Sequence, residues 1–364
     1  MRLKNLALLL LALLPMVAVT PALAQEENLE EVEFKVGNTI THLKVKDWIN
    51  GDSHHKLDKS KVYIVDNWSV ASQGCKRSIP YLNTLYQELG PKGLMVVGIT
   101  MDKMDAVKNY LKDKTSTMTY PIGVVKTDQG GSDMWKLIAK MDVFPLSGIV
   151  NRKGQICYLG SPLDDKFPKT LRLALQDRLD PDLTLKANAY LNPARRAAKV
   201  RNYREAQRLY QQVVDMDPRI FTDVAMELWA MLADQAEDDA AAKAYIRAFI
   251  ERMKTDEPVL VSVGEYLATN TEMKHRDLEA AKQVGQILRE RKSEDPYTMA
   301  AIAAIEAATG DLKGAVDTQY DAWMAAPPSA KAAFKRALDI YREGGTKAAE
   351  PTSAPPAAAE TPAK

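Results

Sequence analysis

Residues 61–80, KVYIVDNWSVASQGCKRSIP, constrain the fold more than any other stretch of the chain. The run Val62, Ile64 and Val65 predicts a buried strand, and Gly74 then introduces an amphipathic pattern with Ile79, Leu82, Leu85 and Leu89 at helical spacing. A strand that feeds straight into a helix places the unpaired N–H groups of the first turn, and the positive end of the helix dipole, beside whatever side chains lie there. That position favours a thiolate or another anion. Ser72 stands where an N-cap is wanted, with Cys75 three residues on. Pro80 interrupts the helical pattern and predicts a kink.

The following segments extend this to an α/β plan. Residues 94–100 are continuously apolar, as a central strand buried on both faces requires. Residues 103–112 pattern as a helix, 120–125 as a short strand and 134–141 as a further helix. Strands at 146–150 and 155–159 flank a turn at 151–154, and a covering helix at 167–179 carries Pro168 in its first turn. Residues 39–48 and 56–61 predict a short strand or hairpin ahead of the main strand.

The segment around Cys75 resembles the active-site segment of the TlpA/ResA-like thioredoxin family, V-D-F-W-A-x-W-C-x-x-C-[KR]-x-x-[IF]-P. Val65, Asp66, Trp68, Cys75, Lys76, Ile79 and Pro80 match without a gap, and Ser72 occupies the position of the first, attacking cysteine. Val143, Phe144 and Pro145, followed by the strand and the turn to Gly154, are similar to the family's later motif, with Val143 in place of its Gly and Asn151 in place of its Asp. The resemblance covers roughly residues 33–178. It implies a thioredoxin-like domain, a central mixed sheet flanked by helices, with thiol-disulfide oxidoreductase ancestry and a redox or antioxidant role. By the same resemblance Cys75 and Asp66 are the catalytic candidates. Trp68, Ser72, Phe144 and Pro145 line the substrate groove, and Pro145 is the cis-proline at its rim.

The replacement at Ser72 leaves three readings of the chemistry. A dithiol enzyme needs a low-pKa first cysteine to attack and a second to resolve, and a hydroxyl without an adjacent base is a poor nucleophile. Cys75 alone could form a sulfenic acid or mixed disulfide that an external thiol resolves. Alternatively the domain is a non-catalytic binding or scaffold module that holds partner peptides. The third reading is a single-cysteine peroxidase. Ser72-x-x-Cys75 fits the [TS]-x-x-C of peroxiredoxins, and residues 70–75 echo the V-A-S-x-C-G of glutathione peroxidases. Trp68 and Ser78, however, stand where peroxiredoxins carry Pro and Glu, and the Arg before the later strand is missing. Asp66 either serves Cys75 as a proton acceptor or is inherited without use. Cys157, on an edge strand, is expected to be structural and too far from Cys75 to bridge it.

Beyond Asp180, Pro181 and Asp182, taken as a helix stop and domain boundary, the period changes. Helical units begin near residues 202, 238, 277 and 311, at intervals of 36, 39 and 34 residues. This resembles tetratricopeptide-type repeats, with a plain α-helical array as the alternative. The expected organisation is a signal peptide at 1–24 and a thioredoxin-like domain with an N-terminal extension at 25–178. An all-α helical-repeat domain follows at 183–343, then a disordered Ala- and Pro-rich tail at 344–364.

A chain of 364 residues has room for two such domains. Its formal charge of +1, or −1 once Arg2 and Lys4 leave with the leader, offers no electrostatic footprint for nucleic acid. Arg2 and Lys4, the apolar residues 6–19, and Ala22-Leu23-Ala24 have the order of a secretory signal, so the protein is expected to be periplasmic or extracellular. No later stretch is apolar enough to span a membrane, and two cysteines permit one disulfide at most. His54 and His55 are adjacent beside a turn, which suits a solvated loop better than a metal site. No cofactor is expected. The expected partners are proteins or peptides at the Pro145 groove and the helical repeats, with an external thiol as a possible reductant.

Overall fold

The computed structural model describes residues 35–43, 45, 47–51, 56–112, 117–125 and 145–346. The expected leader, His54 and His55, the helix at 134–141, Phe144 and residues 347–364 lie outside these.

Six strands form one sheet: β1 (Asp47–Ile49), β2 (Val62–Asn67), β3 (Leu94–Thr100), β4 (Ile122–Val124), β5 (Leu146–Val150) and β6 (Ile156–Gly160), in the order β1-β4-β3-β2-β5-β6. β2, β3 and β4 are parallel, while β1, β5 and β6 are antiparallel to their neighbours. Every residue of β2, β3 and β5 is buried, as their apolar runs require. Helices α1 (Gln73–Leu89), α2 (Met104–Lys112) and α3 (Lys166–Leu175) accompany the sheet. Two apolar layers result, one containing Ile64, Trp68, Cys75, Leu82 and Phe167, the other Tyr63, Val65, Val97 and Ile156. This is a thioredoxin-like mixed sheet with flanking helices.

The short strand expected ahead of β2 is β1, which crosses the sheet to pair antiparallel with β4, Trp48 opposite Gly123, while His42 bridges antiparallel to Lys56. Two expectations need correction. The covering helix ends at Leu175 rather than at 179, and Asp177 turns the chain with φ 55°. Asp180 starts a helix instead of stopping one. Its side chain accepts from the Leu183 N–H at 3.0 Å, and Pro181 takes the first helical position, where no N–H is needed.

The C-terminal region is largely helical: α4 (Pro181–Lys199), α5 (Tyr203–Met216), α6 (Thr222–Ala230, continued by a π-turn to Gln235), α7 (Asp239–Met253), α8 (Glu257–Thr269), α9 (Leu278–Glu290), α10 (Pro296–Ala308), α11 (Leu312–Ala325) and α12 (Lys331–Arg342). Asn202, Asp238, Asp277 and Asp311 cap α5, α7, α9 and α11, each accepting from the N–H three residues on. α8 packs on α6, α9 and α10. At its centre Gly264 allows close packing: a Cβ there would lie 2.9 Å from Ile305 Cδ1 and 3.1 Å from Val284 Cγ1, so both side chains would have to give way.

The two regions meet along a polar seam. Arg178, 4% exposed, donates to Arg219 O (3.0 Å), Pro258 O (2.9 Å), Ser262 Oγ (3.0 Å) and Thr222 Oγ1 (3.0 Å). The Arg172 guanidinium lies 4.9 Å from the centroid of the Tyr297 ring. At the far end of α1, Glu88 accepts from Ser329 N–H (3.1 Å) and Oγ–H (2.6 Å).

Candidate functional site

The β2–α1 corner assembles the site. Ser72 is extended (φ −78°, ψ 119°) and caps α1, its Oγ accepting from the Cys75 N–H at 3.2 Å. Cys75 falls in the first turn and is fully buried. Burial pushes its thiol above the ordinary value, and the bonds from Ser72 and Ser69 offset this only in part, with the Asp66 and Asp102 carboxylates pushing it further up. Desolvation therefore works against the thiolate that a helix N-terminus favours. The helix itself runs on through Pro80.

Asp66, fully buried on β2, accepts from Ser147 Oγ at 2.6 Å through Oδ1, and burial pushes its carboxyl up to about 7. Ser147 is its direct cross-strand partner on β5, two residues after the buried Pro145. Trp68 is buried in the same apolar layer as Cys75, its ring 5.6 Å from that of Tyr110. Gly98 on β3 makes room for it: a Cβ there would lie 3.0 Å from Trp68 Nε1 and 3.1 Å from Tyr120 Cε2. Asp66, Trp68, Ser72 and Cys75 therefore share one corner, with Pro145 leading into the strand beside Asp66. Phe144 lies outside the described residues.

Three residues of this corner escape the sequence reading. Ser147 is a lone hydroxyl in an apolar strand. Tyr120 carries a fully buried hydroxyl held well above its usual range by burial. Asp102 ties down the loop before α1, accepting from the Val70 N–H (2.6 Å), Ser69 Oγ (3.3 Å) and Thr100 Oγ1 (3.1 Å). The only signal for any of them is a polar residue at the end of, or inside, an otherwise apolar run.

Cys157, on the edge strand β6, is a free thiol that donates to Gln155 O at 3.5 Å, with burial pushing it up to about 12. No group of three or more His, Cys, Asp or Glu among the described residues is placed to hold a metal ion. A cavity of about 770 Å³ lies in the seam, lined by Leu85, Leu89, Arg172, Val261, Tyr266 and Tyr297, and its lining includes neither Cys75 nor Asp66. The thiol and the buried acid lie instead at the β2–α1 corner.

A buried acid and a buried thiol thus share one strand–helix corner of a thioredoxin-like sheet. Residues 36–157, about a third of the chain, match the AhpC/TSA family. The thiol-disulfide oxidoreductase ResA of Bacillus thuringiensis subsp. konkukian is 27% identical over 130 residues, which cover 35% of this chain and 70% of that protein. ResA of Bacillus anthracis is 25% identical over the same length. Among solved structures, StoA from Bacillus subtilis matches with a TM-score of 0.28 and 18% identity, covering 34% of this chain and 90% of its own.

Proposed function

We propose that the chain is an exported redoxin related to thiol-disulfide oxidoreductases, in which Cys75 is the one retained site thiol and the site binds partner peptides without dithiol turnover. The observation that carries this is the pairing of Ser72 and Cys75. The hydroxyl in the attacking position is engaged as a helix cap, and the remaining thiol is fully buried and pushed up in pKa. An extended peptide would pair with backbone at the Pro145 rim, as strand-addition recognition does. The capped starts at 202, 238, 277 and 311 support a tetratricopeptide-like repeat region offering a further partner surface. The seam restricts which face is free, because Arg172, Arg178 and Glu88 of the sheet region already contact α6, α8, α10 and the segment before α12. Residues 1–24 are proposed as the leader that directs export. Among the described residues no helix is long and apolar enough to cross a membrane.

The test is reduction of insulin disulfides with a thiol donor. The wild type should be inactive, and Ser72→Cys, which restores a C-x-x-C pair at the helix N-terminus, should gain activity. Wild-type turnover that disappears in Cys75→Ser would sink the binding reading.

One observation favours a second reading, monothiol chemistry at Cys75. Asp66, with its carboxyl near 7, is poised to take a proton from a neighbour. That reading requires rapid alkylation of Cys75 in the folded protein. The peroxidase reading needs a thiolate, and the raised thiol gives it no support.

A further inference from the structure

Three polar atoms in the core beside Cys75 are buried and lack a hydrogen-bond partner among the described residues: Asp66 Oδ2, Trp68 Nε1 and Tyr120 Oη. Asp66 lies directly opposite Gly98 in the parallel β2–β3 register, so its side chain leaves the sheet on the face where a Gly98 Cβ would project. Trp68 Nε1 and the Tyr120 ring lie 3.0 Å and 3.1 Å from that Cβ position. All three residues are at most 1% exposed. One unsatisfied buried polar group is costly, and here three residues adjoin one glycine, with the Asp66 carboxylate near enough to act on the Tyr120 hydroxyl, so a common partner is called for.

We infer that a single buried water is held between Asp66 Oδ2, Trp68 Nε1 and Tyr120 Oη, and that Tyr120 is thereby a positioning residue of the thiol site. The donor inventory closes on this assignment. The indole N–H and phenol O–H donate to the water, which donates in turn to the ionised carboxylate. When Asp66 is protonated its O–H donates to the water, and the Tyr120 hydroxyl turns to accept. Trp68 can only donate, so Tyr120 is the member that reverses. The other groups acting on this cluster are Cys75 on α1 and Tyr110 on α2, through their charge on Tyr120, and Ser147 on β5, which donates to Asp66, with Asp102 acting on Cys75. The inference deepens the proposed function, since it names what sets the protonation of the acid beneath the guarded thiol. The hydration itself does not depend on that role.

The experiment is a carboxyl ¹³C titration of Asp66 in full-length wild type and Tyr120→Phe, with thermal unfolding of both. A donor to the ionised state is lost, so the Asp66 midpoint should rise by about half a unit to one unit, and the melting temperature should fall because the water loses a partner. If the hydroxyl were merely stranded, its removal would relieve a desolvated group. The midpoint would then stay put and the melting temperature would rise, which overturns the inference. Trp68→Phe gives an independent check on the same midpoint. Alkylation of Cys75 in the wild-type sample reports separately on the proposed function: fast labelling would overturn the guarded thiol and leave the water standing.

Discussion

Two buried ionisable side chains, Arg178 in the seam and Asp66 beneath Cys75, are treated in opposite ways. Arg178 has its charge met by two backbone carbonyls and two hydroxyls, all at 2.9–3.0 Å. Asp66 has one protein partner, Ser147, and a carboxyl near 7. A buried charge serves architecture when every donor is matched, and it then joins elements that no apolar contact would orient. A buried acid left under-satisfied is instead held close to neutrality, and its proton becomes labile near physiological pH. The seam is thus built to hold one arrangement and the corner to change state.

The largest effect that would sharpen this contrast is the pH dependence of stability. Asp66 has a folded pKa near 7 against an unfolded value of about 4, so the folded state holds the extra proton between them. The stability it contributes is present below about pH 4 and is lost as pH rises through about 7, on the order of 4 kcal/mol in all. Asp66→Asn should abolish that loss and be the more stable protein at pH 8, as urea midpoints at pH 5 and 8 will show. A difference between the two proteins that is constant with pH would break the comparison. Next in size, Arg178→Met strips the donors from Arg219 O and Pro258 O and should cost about 3 kcal/mol, with unfolding splitting into two transitions by circular dichroism. A single unshifted transition would mean the seam does not couple the regions.

Asp102→Ala removes two bonds to the loop before α1 and one to Thr100 at the end of β3; it should cost about 2 kcal/mol while speeding Cys75 alkylation severalfold. An unchanged labelling rate would show that the tether does not guard the thiol. The smallest effect is Ser72→Ala, worth about 1 kcal/mol as a lost cap, measured by chemical denaturation. A neutral result would remove the cap as the reason for a serine there.

Local pattern accounts for what the sequence discloses. β2 and β3 are legible because an unbroken apolar run has few alternatives to a central strand, and α1 because Ile79, Leu82 and Leu85 keep helical spacing. What is not legible comes from partners far away in the chain. The short strand β1 is expected, but it pairs with β4 some 75 residues on, which no local pattern records. Asp180-Pro181 suits both a stop and a start, and only the Leu183 N–H decides. The helix terminus beside Cys75 is a local feature and is legible, whereas the desolvation of its thiol comes from the whole layer. Ser147 and Asp66 are 81 residues apart, and Asp102 and Val70 are 32 apart, so neither pairing is visible in composition or period.

Helix α1 is fixed at both ends, by the Ser72 cap beside Cys75 and by Glu88 against Ser329. Its 17 residues make a rod of about 25 Å. A rod pinned this way transmits load: a partner that draws the β2–α1 corner outward pulls on the α11–α12 junction as well.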